Sequence, residues 1–270
     1  MMDNIIRSFK VFLNTRSSKC VPQTSNYYGS VVFNFDSKIE LINKESNMFS
    51  ISVSDMIIPI SWYMISAYFN NNKIYLTMNS VNYIVTIPDG SYTAIELRNI
   101  LLTVLPNTFT ISYSAYYNTY TFTNSTYNFT FTNILCYQEL GFYSNTSYAS
   151  SSKVLTSIKS IDLSGSREIY IKSNLLTRNF DSISGLNSST LLDHIGIDCN
   201  NFDLLRYTNI KRFKTYIHDT LITYIAITLY DDENNIIPIQ SHWSLSLEFD
   251  EIKFRDNKVL NEQEENYQFL

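Results

Sequence analysis

Residues 225–249 read IAITLYDDENNIIPIQSHWSLSLEF. Ile225, Ile227 and Leu229 alternate with Tyr224, Ala226 and Thr228. Trp243, Leu245, Leu247 and Phe249 alternate with His242, Ser244, Ser246 and Glu248. A period of two puts apolar side chains on one face of a strand and hydroxyls on the other. Half-wet strands of this kind belong to antiparallel sheets, not to a parallel α/β sheet. Asp231 to Asn235 is an acidic turn, so the stretch reads as two strands closed into a hairpin.

The same pattern recurs upstream. Phe49, Ile51 and Val53 alternate with serines, and Ile74, Leu76 and Met78, then Phe109, Ile111 and Tyr113, repeat the spacing. Tyr120 with Phe122, and Phe129 with Phe131, sit among threonines. Asn70–Asn72, Asn79–Ser80 and Asn124–Ser125 read as hairpin loops between these runs. One helix interrupts them. Thr93 and Glu96 form a capping box, Ile100, Leu101, Val104 and Leu105 share an apolar face, and Pro106 stops it. A second helical turn is expected over 134–140, ending at Gly141.

Composition agrees with a β protein. The 270 residues include 21 Tyr and 17 Phe but only 6 Gly and 5 Pro, and 44% are hydrophobic. Tyr, Phe, Thr and β-branched residues suit strands, and Asn and Ser suit turns. A net charge of −5 lacks the concentrated basic excess of a general nucleic-acid binder. No apolar run reaches the roughly 18 residues of a membrane-spanning helix, and the N-terminus does not read as a secretory signal.

The expected fold class is mainly β: a single jelly-roll sandwich with an inserted small α+β module. Eight strand candidates, the number a jelly roll needs, fall at 29–36, 48–57, 60–69, 154–163, 167–173, 210–217, 223–230 and 242–249. The domain reading is an N-terminal arm over 1–27, a first jelly-roll part over 28–71, the module over 72–151, a second jelly-roll part over 152–250, and an acidic tail over 251–270. Residues 174–209 read as loop with a short helix. The arm carries Ile5, Ile6, Phe9, Phe12 and Leu13 at helical spacing, with Arg7, Lys10, Arg16 and Lys19 between and around them. Such a segment docks on a neighbouring subunit; its alternatives are contact with internal nucleic acid, contact with a membrane, or plain disorder.

Motifs of catalysis and cofactor binding are missing, so no catalytic, cofactor-binding or metal residue and no cofactor is expected. Cys20, Cys136 and Cys199 lack zinc or disulfide spacing. Ser150 and Lys153 satisfy S-x-x-K inside a serine run and read as linker. Asp231, Glu233 and Asn235 start like a calcium loop, but Ile236 and His242 stand where Gly and Glu are needed. His194, His218 and His242 read as ordinary surface or interface histidines. The aromatic cluster between Tyr113 and Tyr143 reads as core or subunit interface, with sugar stacking as the alternative.

IPDGSYT (Ile87–Thr93), followed by Leu97 and then by ELGF (Glu139–Phe142), resembles the minor capsid proteins of virophages and polinton-like viruses. SVSDMIIP (Ser52–Pro59) is similar to that family's early strand pair, and 225–249 to its closing hairpin. The resemblance implies a structural virion protein, not an enzyme: a penton subunit forming homopentamers at the vertices of an icosahedral capsid beside the major capsid protein. It implies assembly in the host cytoplasm and an outward-facing insertion, able to meet a host receptor or glycan. The alternative from the residues themselves is a carbohydrate-binding attachment or spike module.

Overall fold

The structure is a computed structural model that describes residues 4–24, 26–41, 47–175, 190–210, 213–217 and 221–253. Along the chain run β1 (Asn4–Asn14), β2 (Cys20–Thr24), β3 (Tyr27–Glu40), β4 (Asn47–Pro59), β5 (Lys73–Met78), β6 (Val81–Thr86), α1 (Ala94–Val104), β7 (Phe109–Ser114), β8 (Thr119–Asn124) and β9 (Phe129–Ile134). There follow β10 (Tyr148–Ala149), β11 (Val154–Thr156), β12 (Glu168–Ser173), β13 (Leu191–Gly196), β14 (Leu204–Thr208), β15 (Thr215–Ile217), β16 (Leu221–Tyr230) and β17 (Ser244–Lys253). The chain divides into two compact units, one made of 1–61 with 167–270, the other of 62–166.

The first unit holds two antiparallel sheets. One orders β1-β17-β4-β14, with β15 also on β4. β14 pairs residues 55–59 of β4 and β15 pairs residues 49–51, so the two act as one interrupted strand. The other sheet orders β13-β12-β16-β3-β2. Followed in sequence, β1 and β4 lie in the first sheet with β3 in the second between them. β12 and β13 lie in the second, β14 and β15 in the first, β16 in the second and β17 in the first. This eight-strand, two-sheet path is a jelly roll, and β2 adds a hairpin outside β3.

Alternation explains the pairing. On β4, Phe49, Ile51 and Val53 are buried toward the core. Then Ser54 is an extra residue: Leu247 of β17 pairs Val53 while Ser246 pairs Asp55. This bulge flips the parity of the strand. Met56 and Ile58 thereby replace the odd-numbered positions in the core.

Several expectations need correction. Residues 1–27 are not a separate arm. β1 pairs β17 over its whole length, Phe9 stacks on Phe249 with centroids 5.1 Å apart, and Leu13 is buried. Three of the four basic residues are paired with acids of the same unit: Arg7 lies 3.7 Å from Glu251, Lys10 lies 3.9 Å from Glu248, and Lys19 pairs Asp36. Residues 60–69 form no strand, although Ile60, Trp62, Met64 and Ile65 are buried. Only 154–156 of the expected 154–163 strand pairs. Of 210–217, the strand is 215–217. The stretch 174–209 contains β13 and β14 rather than a helix among its described residues. The acidic turn does not close a hairpin. Asp231 N–H donates to the Asn235 carbonyl at 2.9 Å, and the chain then crosses from β16 in one sheet to β17 in the other. The tail beyond 253 lies outside the described residues.

The unit 62–166 is wider than the expected 72–151 at both ends. It has a four-stranded sheet, β10-β9-β5-β6, and a three-stranded one, β11-β8-β7. β5 and β6 make a two-residue hairpin through Asn79 and Ser80, whose φ values of 50° and 61° are those of a type I′ turn. Asn124–Ser125 is no hairpin, because β8 and β9 lie in different sheets. The capping box of α1 forms on both sides: Thr93 N–H donates to Glu96 Oε2 at 2.9 Å and Glu96 N–H donates to Thr93 Oγ1 at 3.3 Å. Residues 136–141 make the expected helical turn: Leu140 N–H donates to the Cys136 carbonyl at 3.1 Å, and the turn closes at Gly141, whose N–H and that of Phe142 donate to the Gln138 and Tyr137 carbonyls at 3.0 and 2.7 Å. Leu97 and Leu101 of α1 join Ile74, Leu76, Phe122 and Phe131 in a core drawn wholly from this unit.

The pairing of β1 separates two neighbouring side chains. Leu13→Ala is expected to lower the unfolding free energy by about 2–5 kcal/mol, the range for a buried Leu, whereas Phe12→Ser should change it by roughly 0.5 kcal/mol or less. Chemical denaturation of the two variants measures both, and equal small effects would return 1–14 to the status of a loose arm.

Candidate functional site

The residues that carry chemistry in the sequence are dispersed by the fold. His194 is exposed on β13 and stacks on Tyr170 at 6.0 Å. His242 Nδ1 lies 3.2 Å from Thr15 Oγ1, and its ring lies 4.4 Å from Tyr28. His218 lies outside the described residues. All three cysteines are free, and burial pushes the Cys136 thiol well up. Ser150 Oγ accepts from Phe129 N–H at 2.8 Å, while Lys153 Nζ donates to the Ser125 carbonyl at 3.4 Å, so S-x-x-K makes no nucleophile–base pair. Asp231 Oδ1 accepts from the N–H groups of Glu233 at 3.0 Å and Asn235 at 2.7 Å. Its carboxylate braces the turn, and burial raises its pKa. Among the described residues, no group of three or more His, Cys, Asp and Glu is placed to hold a metal ion.

The aromatic cluster divides in two. Phe122 and Phe131 meet edge to face at 5.1 Å, Phe109 meets Phe129 at 4.8 Å, and Phe131 meets Phe142 at 6.4 Å. These rings are core. Tyr120 is buried with them and donates its hydroxyl to the Ala94 carbonyl at 2.7 Å. Tyr116 and Tyr117, between β7 and β8, are 87% and 68% exposed and meet edge to face at 4.7 Å. Tyr127 and Tyr143 are also exposed.

The motifs behind the family resemblance are structural. Gly90 and Ile65 exchange backbone hydrogen bonds of 3.0 and 2.9 Å. A Cβ on Gly90 would come 2.6 Å from the Tyr92 ring, whose hydroxyl donates to the Pro88 carbonyl at 2.7 Å. IPDGSY is thus a turn folded around its own tyrosine just ahead of the helix cap. Gly141 has φ +75°, and a Cβ there would lie 2.4 Å from the Lys159 carbonyl oxygen. Its left-handed turn lets the N–H groups of Ile158 and Lys159 reach its carbonyl at 3.0 and 3.1 Å. Leu140 and Phe142 are fully buried on either side.

Two surfaces of the jelly roll remain. The first is the edge strand β1, on which Ile5, Ile6 and Phe12 are exposed, Phe12 by 75%. The second is a cleft of about 450 Å³ on the hydroxyl face of the same sheet. Ser52 and Ser54 of β4 line it together with Asp55, Glu248 and Asp250. Asp250 is 1% exposed, pairs with Lys214 and accepts from the Ser8 hydroxyl. Glu248 accepts from Ser8 Oγ at 3.2 Å, and Asp55 accepts from Ser54 Oγ at 3.0 Å and Thr208 Oγ1 at 3.4 Å. Sequence reading missed this cleft. Its signal was the carboxylates among the wet-face serines, visible only once β14, Asn209 and Lys214 are known to flank β4.

At the open side of the sandwich, Tyr207 of β14 donates its hydroxyl to Asp193 Oδ2 of β13 at 2.8 Å, tying one sheet to the other. Asp193 is buried, and burial raises its pKa against the opposing effects of the Tyr207 and His194 hydrogen bonds.

No protein-family model matches the chain, and no curated protein does either. Among solved structures, a crystal structure of the mavirus penton protein is similar to it, with a TM-score of 0.48 and 14% identity, over 90% of this chain and 100% of that one.

The Asp193 tie has a pH signature. Its carboxyl holds a proton more tightly in the folded chain than in the unfolded one. The resulting stabilisation is full below the unfolded carboxylate value of about 3.9 and is lost as pH rises through the raised folded value. Wild type should therefore gain thermal stability relative to Asp193→Asn between about pH 7 and about pH 4. Melting curves of the two proteins across that range measure it; a constant difference would contradict it.

Proposed function

We propose that the chain is a penton: a minor capsid subunit that forms homopentamers at the vertices of an icosahedral shell through its jelly-roll edges, beside the major capsid protein. The observation that carries this reading is the edge of β1, which pairs with no strand but β17 among the described residues. A long edge strand presenting Ile5, Ile6 and Phe12 to solvent is a template for unwanted pairing in a monomer. In a cyclic assembly every copy offers the same edge to a neighbour's different surface, and closure of the ring leaves none uncovered. The eight-strand jelly roll and the IPDGSYT and ELGF turns support the same reading. The subunit would assemble in the host cytoplasm and reside in the virion.

In this reading the unit 62–166 projects outward and takes no part in the ring contact. Its own core and its single excursion between β4 and β12 support that role. Purified protein should form five-membered rings by electron microscopy and mass photometry. Replacing 62–166 with a short Gly/Ser linker should preserve those rings and remove only mass. A strictly monomeric wild-type protein would overturn the penton reading. An insoluble deletion protein would place the unit within the sandwich or the contact.

A carbohydrate-binding attachment module has one observation in its favour, the exposed pair Tyr116 and Tyr117. Aromatic faces of this kind stack on sugar rings or meet a host receptor. A glycan array separates the two readings: saturable binding lost in Tyr116→Ala/Tyr117→Ala supports attachment, and no binding leaves the penton role alone.

A further inference from the structure

We infer that β1 of one copy pairs antiparallel with β14 of the next copy, so that the first sheet continues from subunit to subunit. The inference rests on the ring reading and names the two strands that meet in it.

The backbone groups at the two edges match. β1 and β14 are the outermost strands of one sheet, and among the described residues β1 pairs only with β17 and β14 only with β4. Thr15 N–H donates to the Trp243 carbonyl at 3.1 Å. By alternation Phe9, Val11 and Leu13 also turn their peptide groups toward β17, while Ser8, Lys10 and Phe12 turn theirs to the open edge. Asn209 N–H donates to the Ser54 carbonyl at 3.0 Å, and the same alternation leaves the peptide groups of Leu204, Arg206 and Thr208 at the opposite edge. The pairings β1 to β17, β17 to β4 and β4 to β14 are all antiparallel, so β1 and β14 run in opposite directions. Copies related by an axis along the strands therefore set β1 of one against β14 of the next as an antiparallel pair. Main-chain hydrogen bonds then supply the contact, as in strand addition at any open sheet edge.

The side chains point to the same contact. Those of Ser8, Lys10 and Phe12, and of Leu204, Arg206 and Thr208, lie on the hydroxyl face by the period of two. Phe12 is 75% exposed and Leu204 is exposed as well. Arg206 is exposed, and among the described residues its guanidinium makes no ion pair and the Phe12 ring meets no other ring. Charge selects the register. Lys10 opposite Arg206 would set like charges side by side, which is unfavourable. A shift of two residues sets Phe12 opposite Arg206 and Lys10 opposite Thr208, and the guanidinium then lies against the aromatic face. The opposite shift sets Phe12 against Phe202, whose φ of 69° takes it out of the strand.

A second copy is the occupant because each edge carries what the other lacks: a cation without a partner on β14, a bare ring on β1, and strand directions that oppose. The contact is heterologous, and each copy uses both of its edges once, as a closed ring requires. Pairing of β1 with β1 of a second copy would stop at two chains and leave β14 and Arg206 open.

The test uses the full chain in a Cys20→Ser/Cys199→Ser background. Lys10→Cys and Thr208→Cys stand opposite each other in this register, at a backbone separation that a disulfide spans. Mild oxidation should join the two introduced thiols between copies when the single variants are co-expressed, and should join neither variant to itself; mass spectrometry locates the bond. Phe12→Ser and Arg206→Ser should each raise the protein concentration at half-assembly by about threefold or more, and the combined variant should raise it no further than the larger single effect. A cross-link within Lys10→Cys alone would place β1 against β1 and overturn the inference, as would fully additive losses in the combined variant. Ring formation is read separately by electron microscopy. Rings without the cross-link sink the edge pairing and leave the penton reading standing. The cross-link in open chains, without rings, sinks the penton reading and leaves the pairing.

Discussion

The jelly roll depends on one placement: β17, the last described strand, lies between β1 and β4, two of the first. Asn4 pairs Lys253 and Leu13 pairs Leu245, so the first sheet has no interior until both ends of the chain meet. Every hydrogen bond β17 makes to β1 or β4 spans most of the sequence. Such pairing is slow to form, because the entropy of closing the loop precedes any reward from contact. It also explains why Phe249, stacked on Phe9, and Trp243 are among the most buried side chains. Trp243 Nε1 donates to the Tyr28 carbonyl at 2.8 Å, fixing the point where the chain passes from one sheet to the other.

The inserted unit solves its own packing problem by different means. It has short strands and one helix of three turns, too little on either side to cover a sheet with aliphatic residues alone. Aromatic rings fill the gap, each burying a large area and meeting the next edge to face. The fully buried Tyr120 satisfies its hydroxyl on the first turn of α1, so the helix is tied to the sheet by a polar bond as well as by Leu97 and Leu101. Part of the abundance of Phe and Tyr in the sequence is thus accounted for by this core.

Legibility followed burial geometry. Strands with one dry and one wet face, β16 and β17 above all, could be read residue by residue, and so could α1 from its capping box. Strand β1 could not, because an edge position leaves Ile5, Ile6 and Phe12 exposed beside Leu13 and blurs the alternation into an apparent helical spacing. β13 was hidden because Asp193, an acidic residue, occupies an inward position, where it accepts from the Tyr207 hydroxyl of the opposite sheet and from the His194 N–H. Residues 60–69 misled in the other direction: their apolar side chains are buried, but in irregular backbone. The acidic turn looked like a hairpin because turn chemistry is local, whereas which sheet receives the next strand is decided by distant pairing. The cleft was illegible for the same reason, since its walls come from four strands far apart in sequence.

The hydroxyl face of the first sheet joins fold and function. Serines at 50, 52 and 54 give β4 the alternation that identifies it as a strand. They also keep its outward side chains short. The longer side chains of the flanking segments, Lys10, Lys214 and Glu248, rise above them, so the middle of the sheet becomes a floor and its neighbours become walls. Burial of the serines to a few per cent of their surface is the consequence, although they point away from the core. Longer polar residues at these positions would specify the same strand and fill the recess. Small ones specify it and leave room. That recess and the β1 edge beside it lie on one sheet, the sheet that forms only when β17 has joined β1 and β4. A surface that exists only in the finished fold is well suited to assembly, because an incompletely folded chain cannot present it.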